Sequence, residues 1–361
     1  MRLKATLVFL LFVGLPLAAA SIPEAAKPEE VGLSSERLRR IHEAIQSHID
    51  LHEISGAVTL VARKGRIAHF EAHGWMDLES KKPMTKDSIF RIWSMSKPVG
   101  GVAIMMLLEE GKVRLNDPVS KFIPEFKGMK VAEDRLADYT PKLGATPLDF
   151  QPGSRWSYSA AAAFDTLARV VEVASGQAVD QFLRQRIFDP LGMKDTFFSP
   201  TEERWPRVPV AYHRSGEVLQ KVENPNRMVS TTYFGLGGGL MASTLDYAQF
   251  AEMLVEGGQL NGNRLLSPKT VELMSSAFVP DTLPGRAPGI GYGLSVQVVT
   301  NPIAAGYRVS PGTFGWDGAY GTHFWVDPKE KTIGVMMIQT DNPDRRLDRD
   351  FENAVMQAIV D

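Results

Sequence analysis

Both ends of the chain carry helix-patterned segments, and strand-patterned segments lie just inside each of them. Near the start, Val31-Gly32-Leu33 leads to Ser34, an N-cap residue type, with Glu36 in the first turn. Leu38, Ile41, Ile45 and Ile49 then recur at helix spacing and give a surface helix one apolar face. Residues 349–360 read the same way, with Phe351, Ala354, Val355 and Ile359 facing inward. Inside the first helix, residues 56–62 read as a strand that Lys64-Gly65 turns toward a hairpin partner at 66–72. Inside the last, a meander is expected through 293–299, 306–309, 313–316, 321–326 and 332–339. Polar–apolar alternation is weak there, as for strands covered on both faces. These segments together imply a sheet covered by the two terminal helices.

The middle of the chain turns helical. Phe164, Leu167, Val170 and Val171 give residues 160–171 an apolar face, and Gly176 lies just beyond. A second helix, 179–187, is expected to stop at Asp189-Pro190 and Gly192. Further helices are read at 246–256, capped by Ser243 or Thr244, and from Ser267-Pro268 to Met274. Gly237-Gly238-Gly239 lacks the lysine and spacing of a phosphate loop and reads as close backbone packing. The expected division is residues 21–110 with 200–361 as an α/β sandwich region, and 111–199 as a mainly helical region.

Residues 1–20 read as an export signal. Arg2 and Lys4 form a basic start, Leu7 to Leu17 an apolar core, and Ala18-Ala19-Ala20 the small residues before a cut at Ser21. The expected destination is the periplasm or the extracellular space. No other uninterrupted apolar stretch reaches spanning length, so no integral membrane segment is expected after cleavage. Forty Lys+Arg against 42 Asp+Glu leave no basic excess to call for nucleic acid. The absence of cysteine excludes a thiol nucleophile, a disulfide scaffold and thiolate metal sites. His42, His48 and His52 lie on or near the first helix without an accompanying carboxylate cluster, so neither metal nor cofactor is expected. No feature of the sequence sets an oligomeric state.

Chemistry concentrates at Phe90 to Gly100, FRIWSMSKPVG. Ser94-Met95-Ser96-Lys97 is an S-x-x-K sequence, followed at once by Val99, Val102, Ala103, Met106 and Leu107 at helix spacing. Residues three apart share a helix face, so Ser94 and Lys97 can meet where backbone N–H groups lack intrahelical partners. That places an amine beside a serine nucleophile. The bland reading is an N-cap serine and a solvated lysine.

Four more signatures accompany it: Pro152-Gly153-Ser154-Arg155-Trp156-Ser157-Tyr158-Ser159; Ile187-Phe188-Asp189-Pro190-Leu191-Gly192-Met193; Gly238-Gly239-Leu240-Met241-Ala242-Ser243; and Gly315-Trp316-Asp317-Gly318-Ala319-Tyr320-Gly321-Thr322 followed by Phe324-Trp325-Val326-Asp327-Pro328. In this order they resemble the serine β-lactamase and penicillin-binding-protein-like superfamily over nearly the whole chain after residue 20. The resemblance is closest to the class C-like branch with its D-Ala-D-Ala carboxypeptidases and promiscuous esterases. It implies an α+β fold of β-lactamase/transpeptidase type, with an antiparallel sheet, a helical region and the active site in the cleft between them. It also implies roles: Ser94 acylated, Lys97 taking its proton or lowering its pKa, and Tyr158 as general base and then acid. The backbone N–H groups of Ser94 and Ala319 would form the oxyanion hole. Trp316-Asp317-Gly318 would face the substrate where relatives carry Lys-Thr-Gly or His-x-Gly. A phenol is a poor base at neutral pH unless a nearby ammonium stabilises the phenolate, and Lys97 is the candidate charge. The bland readings are a core tyrosine for Tyr158 and an inter-sheet packing residue for Trp316.

Two departures bear on function. Relatives end the tyrosine motif in asparagine two positions on; Ala160 stands there and cannot bond an amide side chain. Trp316 replaces a basic or imidazole group and so removes a partner for a substrate carboxylate. Both favour an apolar ester over a β-lactam or a peptide. The stretch from Lys127 to Phe150 is also shortened, lacking the Leu-Leu-x-His-x-Ser-Gly-like helix of relatives. The leading expectation is an exported serine esterase acting through an acyl-enzyme on small ester or amide substrates. The alternatives are a β-lactamase or D-Ala-D-Ala carboxypeptidase, and an inactive cell-envelope binding protein of the same fold.

Overall fold

The computed structural model describes residues 21–127, 150, 153–222, 230, 232–344 and 346–361. The expected export signal (1–20) and nearly all of the shortened stretch (128–149) lie outside the described residues. The main sheet has eight strands: β1 (Gly56–Arg63), β2 (Arg66–Asp77), β3 (Lys82–Pro83), β4 (Ile290–Tyr292), β5 (Gln297–Val299), β6 (Phe314–Asp317), β7 (His323–Asp327) and β8 (Thr332–Ile338). Their order is β4-β5-β6-β7-β8-β1-β2-β3, antiparallel throughout. The two halves of the chain join where β1 pairs with β8, Leu60 opposite Val335.

Five helices frame this sheet and the cleft beside it: α1 (Ser35–Asp50), α2 (Ser96–Glu109), α3 (Ala162–Ser175), α4 (Thr244–Val255) and α5 (Arg346–Met356). Ser34 caps α1 by accepting from Arg37 N, and Ser243 caps α4 by accepting from Asp246 N. α1 and α5 cover one face of the sheet, closing Leu38, Ile41, Ile45, Phe351 and Val355 over Ala57, Val61, Met336 and Ile338. Each large side chain so buried contributes on the order of 2 kcal/mol. Val58, Leu60, Val335 and Met337 point to the other face, where one core takes in α2, α3 and α4. Every residue of β1 and β8 is buried, so their sequences show no alternation.

Several expectations are corrected. Residues 306–309 form no strand; Asn301 caps a short helix, Pro302–Ala305, and Gly306 ends it at φ 75°. The region around 293–299 is a hairpin of β4 and β5. The helix beginning at Val179 does not stop before Pro190. A π-helical turn, Arg184–Phe188, carries it into Asp189–Leu191 and absorbs the proline's missing N–H. The histidines of α1 do have carboxylates: His42 Nδ1 lies 2.7 Å from Glu71 on β2, and His48 sits between Glu53 and Asp350. Packing of α1 on β2 and α5 supplies Glu71 and Asp350, and the turn after α1 supplies Glu53, none of which the periodicity of α1 reveals.

Candidate active site

Ser94 stands on a 3-10 turn, Trp93–Met95, that opens into α2. The turn is tethered from several directions. Ile92 N donates to Leu240 O at 3.1 Å, and Leu240 N donates to Ser96 Oγ at 3.1 Å. The buried Tyr247 of α4 donates its hydroxyl to Met95 O at 2.8 Å. Thr322 Oγ1 reaches Ile92 O at 3.3 Å. These bonds hold Trp93 at φ +44°, a left-handed conformation costly for a bulky side chain. Its ring stacks on Tyr320, centroids 5.3 Å apart.

Ser94 Oγ accepts two hydrogen bonds: from Lys97 Nζ at 2.9 Å and from Tyr158 OH at 2.7 Å. Lys97 is completely buried on the first turn of α2. Its other two N–H groups go to Ala160 O at 2.6 Å and Gly237 O at 2.5 Å. A charged Lys97 therefore has all three donors matched. Burial pulls its pKa down to about 8, against the attraction of the Asp165 carboxylate. Lys97 Nζ also lies 5.1 Å from the Tyr158 ring centroid. Ser94, Lys97 and Tyr158 are thus brought together as the sequence suggested, and Ala160 meets them through its carbonyl.

Asp165 on α3 was not apparent from sequence. It is buried, and it accepts from Tyr233 OH at 2.7 Å and Gly237 N at 2.9 Å. It therefore fixes the residue whose carbonyl holds Lys97. A Cβ on Gly237 would lie 2.6 Å from Ala161 Cα, so the glycine triplet serves close packing as expected.

β6 ends beside this group. Gly318 N donates to Thr322 O at 2.7 Å, and Gly321 N to Gly318 O at 3.0 Å. A Cβ on Gly318 would lie 2.0 Å from Thr322 Oγ1 and 2.5 Å from Ile92 O, so only glycine fits. Ala319 is next in the chain, and lines a cleft of about 700 Å³ with Ser94, Trp156, Tyr158, Trp316, Asp317 and Gly318. Trp316 is both a packing and a lining residue. Its ring centroid is 5.5 Å from Tyr158 and 5.2 Å from Tyr292. Trp156, 6.2 Å from Tyr158 and 5.8 Å from Tyr292, completes an aromatic wall. Asp317, Asp341, Asp344 and Asp348 also line the cleft, and no lysine or arginine lines it among the described residues. His323 is more than a strand residue. It bonds Asp317 at 2.6 Å and Glu352 at 3.1 Å. Burial disfavours its charge, but these bonds win and hold its pKa well above the ordinary value.

The Beta-lactamase family model matches residues 41–357. The chain belongs to the Beta-lactamase family. Esterase EstB of Burkholderia gladioli is 28% identical, with 78% of this chain and 85% of EstB covered. The solved structure of EstCE1, described as a hydrolase with promiscuous acyltransferase activity, superposes at TM-score 0.80 and 26% identity over 89% of this chain and 99% of EstCE1. A class C β-lactamase shares the fold at TM-score 0.73 and 14% identity, covering 90% of this chain and 96% of its own. The family member described here is an α+β hydrolase of β-lactamase/transpeptidase-like fold. Among its described residues no helix is long and apolar enough to cross a membrane.

Proposed function

We propose that this β-lactamase-family hydrolase is a serine esterase, with Ser94 as the acylated nucleophile. The observation that carries the reading is the convergence of Lys97 Nζ and Tyr158 OH on Ser94 Oγ, both within 3 Å. A charged Lys97 has no lone pair to take a proton, so the acceptor for the Ser94 proton is Tyr158. In the reactive form Tyr158 is a phenolate, its own proton lost to solvent, and Ser94 Oγ attacks the ester carbonyl carbon as its proton passes to that phenolate oxygen. The Lys97 charge stabilises the phenolate side of that transfer. In this reading the backbone N–H groups of Ser94 and Ala319 receive the oxyanion. Tyr158 then returns the proton to the departing alkoxide, leaving an acyl-Ser94 ester. Water repeats the sequence and frees the acid. Export to the periplasm or beyond is part of the proposal and rests on residues 1–20.

The cleft supports esters over β-lactams or D-Ala-D-Ala peptides. Those substrates carry a carboxylate, and the cleft lining bears Asp317, Asp341, Asp344 and Asp348. Arg286 stacks on Trp156 at 4.5 Å and donates to the Ile290 and Gly291 carbonyls. The test is a fluorophosphonate probe with adduct mapping, beside kcat/KM for a p-nitrophenyl ester and a cephalosporin. A single adduct on Ser94 and a preference for the ester of at least about 100-fold, some 2.7 kcal/mol in barrier, are expected. An unlabelled folded protein supports the inactive binding protein instead, and a cephalosporin preference supports the β-lactamase.

The buried ammonium sets the alkaline limb. Lys97 is charged below about pH 8 and loses its charge as pH rises through that value. Background-corrected kcat/KM is expected to fall across the same range. Asp165→Asn removes the anion that favours the charge, so the limb should move to lower pH. A limb unmoved in this variant would separate it from Lys97.

A further inference from the structure

On the sheet face opposite the cleft, β2 reads His69-Phe70-Glu71-Ala72-His73. Strand residues two apart share a face. Register places His69, Glu71 and His73 opposite Val61, Thr59 and Ala57, and of these Val61 and Ala57 pack under the terminal helices. The histidines and the glutamate therefore rise toward α1, and α1 presents His42 to them. His42 Nδ1 lies 2.7 Å from Glu71 Oε1, and His73 Nδ1 lies 3.9 Å from the same oxygen. One ligand atom from each of His42, Glu71 and His73 falls within 4.8 Å of the others.

His73 makes this more than an ion pair. It is only 3% exposed, and its Nδ1 has no hydrogen-bond partner. Its Nε2 lies 3.0 Å from Thr59 Oγ1, which is also 2.8 Å from His69 Nε2. If His73 Nε2 carries the proton, a bare Nδ1 lone pair faces a carboxylate. If Nδ1 carries it, a buried N–H goes unmatched. Either state is unfavourable without a cation between the two groups. Metal-bound histidines take a partner on the second ring nitrogen in just this way, and Thr59 occupies that place.

We propose that His42, Glu71 and His73 form a divalent transition-metal site, best matched to Zn²⁺, that clamps α1 to β2. Two imidazoles and one carboxylate are a zinc donor set, with water in the fourth position. Bonds of about 2 Å in a tetrahedron separate ligand atoms by roughly 3.3 Å. The observed 2.7 and 3.9 Å bracket that value, so the site would form by a rotation of the Glu71 carboxylate toward His73 with a turn of the exposed His42 ring. On binding, His42 Nδ1 exchanges its bond to Glu71 for a bond to the metal and releases any proton it carries. The site opens onto a hollow of about 450 Å³ lined by Arg39, His42, Glu43, His69 and Glu71, which gives the ion a way in. It stands whether or not Ser94 is a nucleophile, because it shares no residue with the cleft.

The test is isothermal titration of the EDTA-treated, dialysed full chain with ZnCl₂, with melting curves alongside. One equivalent per chain is expected, with a higher Tm in Zn²⁺. Glu71→Gln and His42→Ala should each weaken binding at least about 10-fold and remove the Tm rise. His42 is exposed, so His42→Ala reads the site even if the Glu71 variant folds poorly. EDTA should leave any ester hydrolysis unchanged. No saturable binding by the parent chain, or equal affinity in parent and variants, overturns the proposal; the latter would mark a surface-histidine adduct.

Discussion

Ser94→Ala is expected to lower kcat for aryl esters by about 10⁴-fold or more and to abolish the fluorophosphonate adduct. The size of the loss reflects the site's economy of groups. Lys97 and Tyr158 both aim at one oxygen, and without it neither has an acyl acceptor to serve. The variant should fold normally. Lys97 keeps its bonds to the Ala160 and Gly237 carbonyls, and Ser94 is only half-buried. Circular dichroism should match the parent, which ties the loss to chemistry. A variant keeping a tenth of parental turnover would place the nucleophile elsewhere.

Tyr158→Phe is expected to lower kcat by about 10³-fold while KM changes little. The ring stays in the aromatic wall, 5.5 Å from Trp316 and 6.2 Å from Trp156, so substrate contact persists. What is lost is the oxygen 2.7 Å from Ser94 Oγ, the group that carries the proton in the proposed mechanism. Slow fluorophosphonate labelling should survive, because the probe carries an activated leaving group. Stopped-flow acylation and steady-state turnover would separate the two steps. Unchanged acylation in Tyr158→Phe would shift the base role to Lys97.

The sheet and its two covering helices were legible because Leu38, Ile41, Ile45, Phe351 and Val355 recur at helix spacing beside apolar runs. Ser94, Lys97 and Tyr158 were legible because each sits in a short motif with a chemical reason for its spacing. Asp165 was not. Its partners, Tyr233 and Gly237, lie 68 and 72 residues away, and nothing around it in sequence marks a buried carboxylate. Trp156 stood inside a recognised motif, but its place in a wall with Tyr292 depends on how β4 packs. The zinc-type cluster stayed hidden for the same reason: His42 and Glu71 are 29 residues apart and meet only through helix-on-sheet packing. The misread strand at 306–309 is different, because Asn301-Pro302 and then Gly306 already spelled a cap, a first turn and a stop.

Trp93 has a consequence for how the molecule fails. Its left-handed backbone stores on the order of 1–3 kcal/mol that the turn would release if freed. The restraints come from separate parts of the chain: Leu240, Tyr247 and Thr322. Loosening any one lets the turn relax locally while the buried sheet stays intact. On gentle warming, the proposed ester turnover should then be the early casualty and the secondary structure the late one.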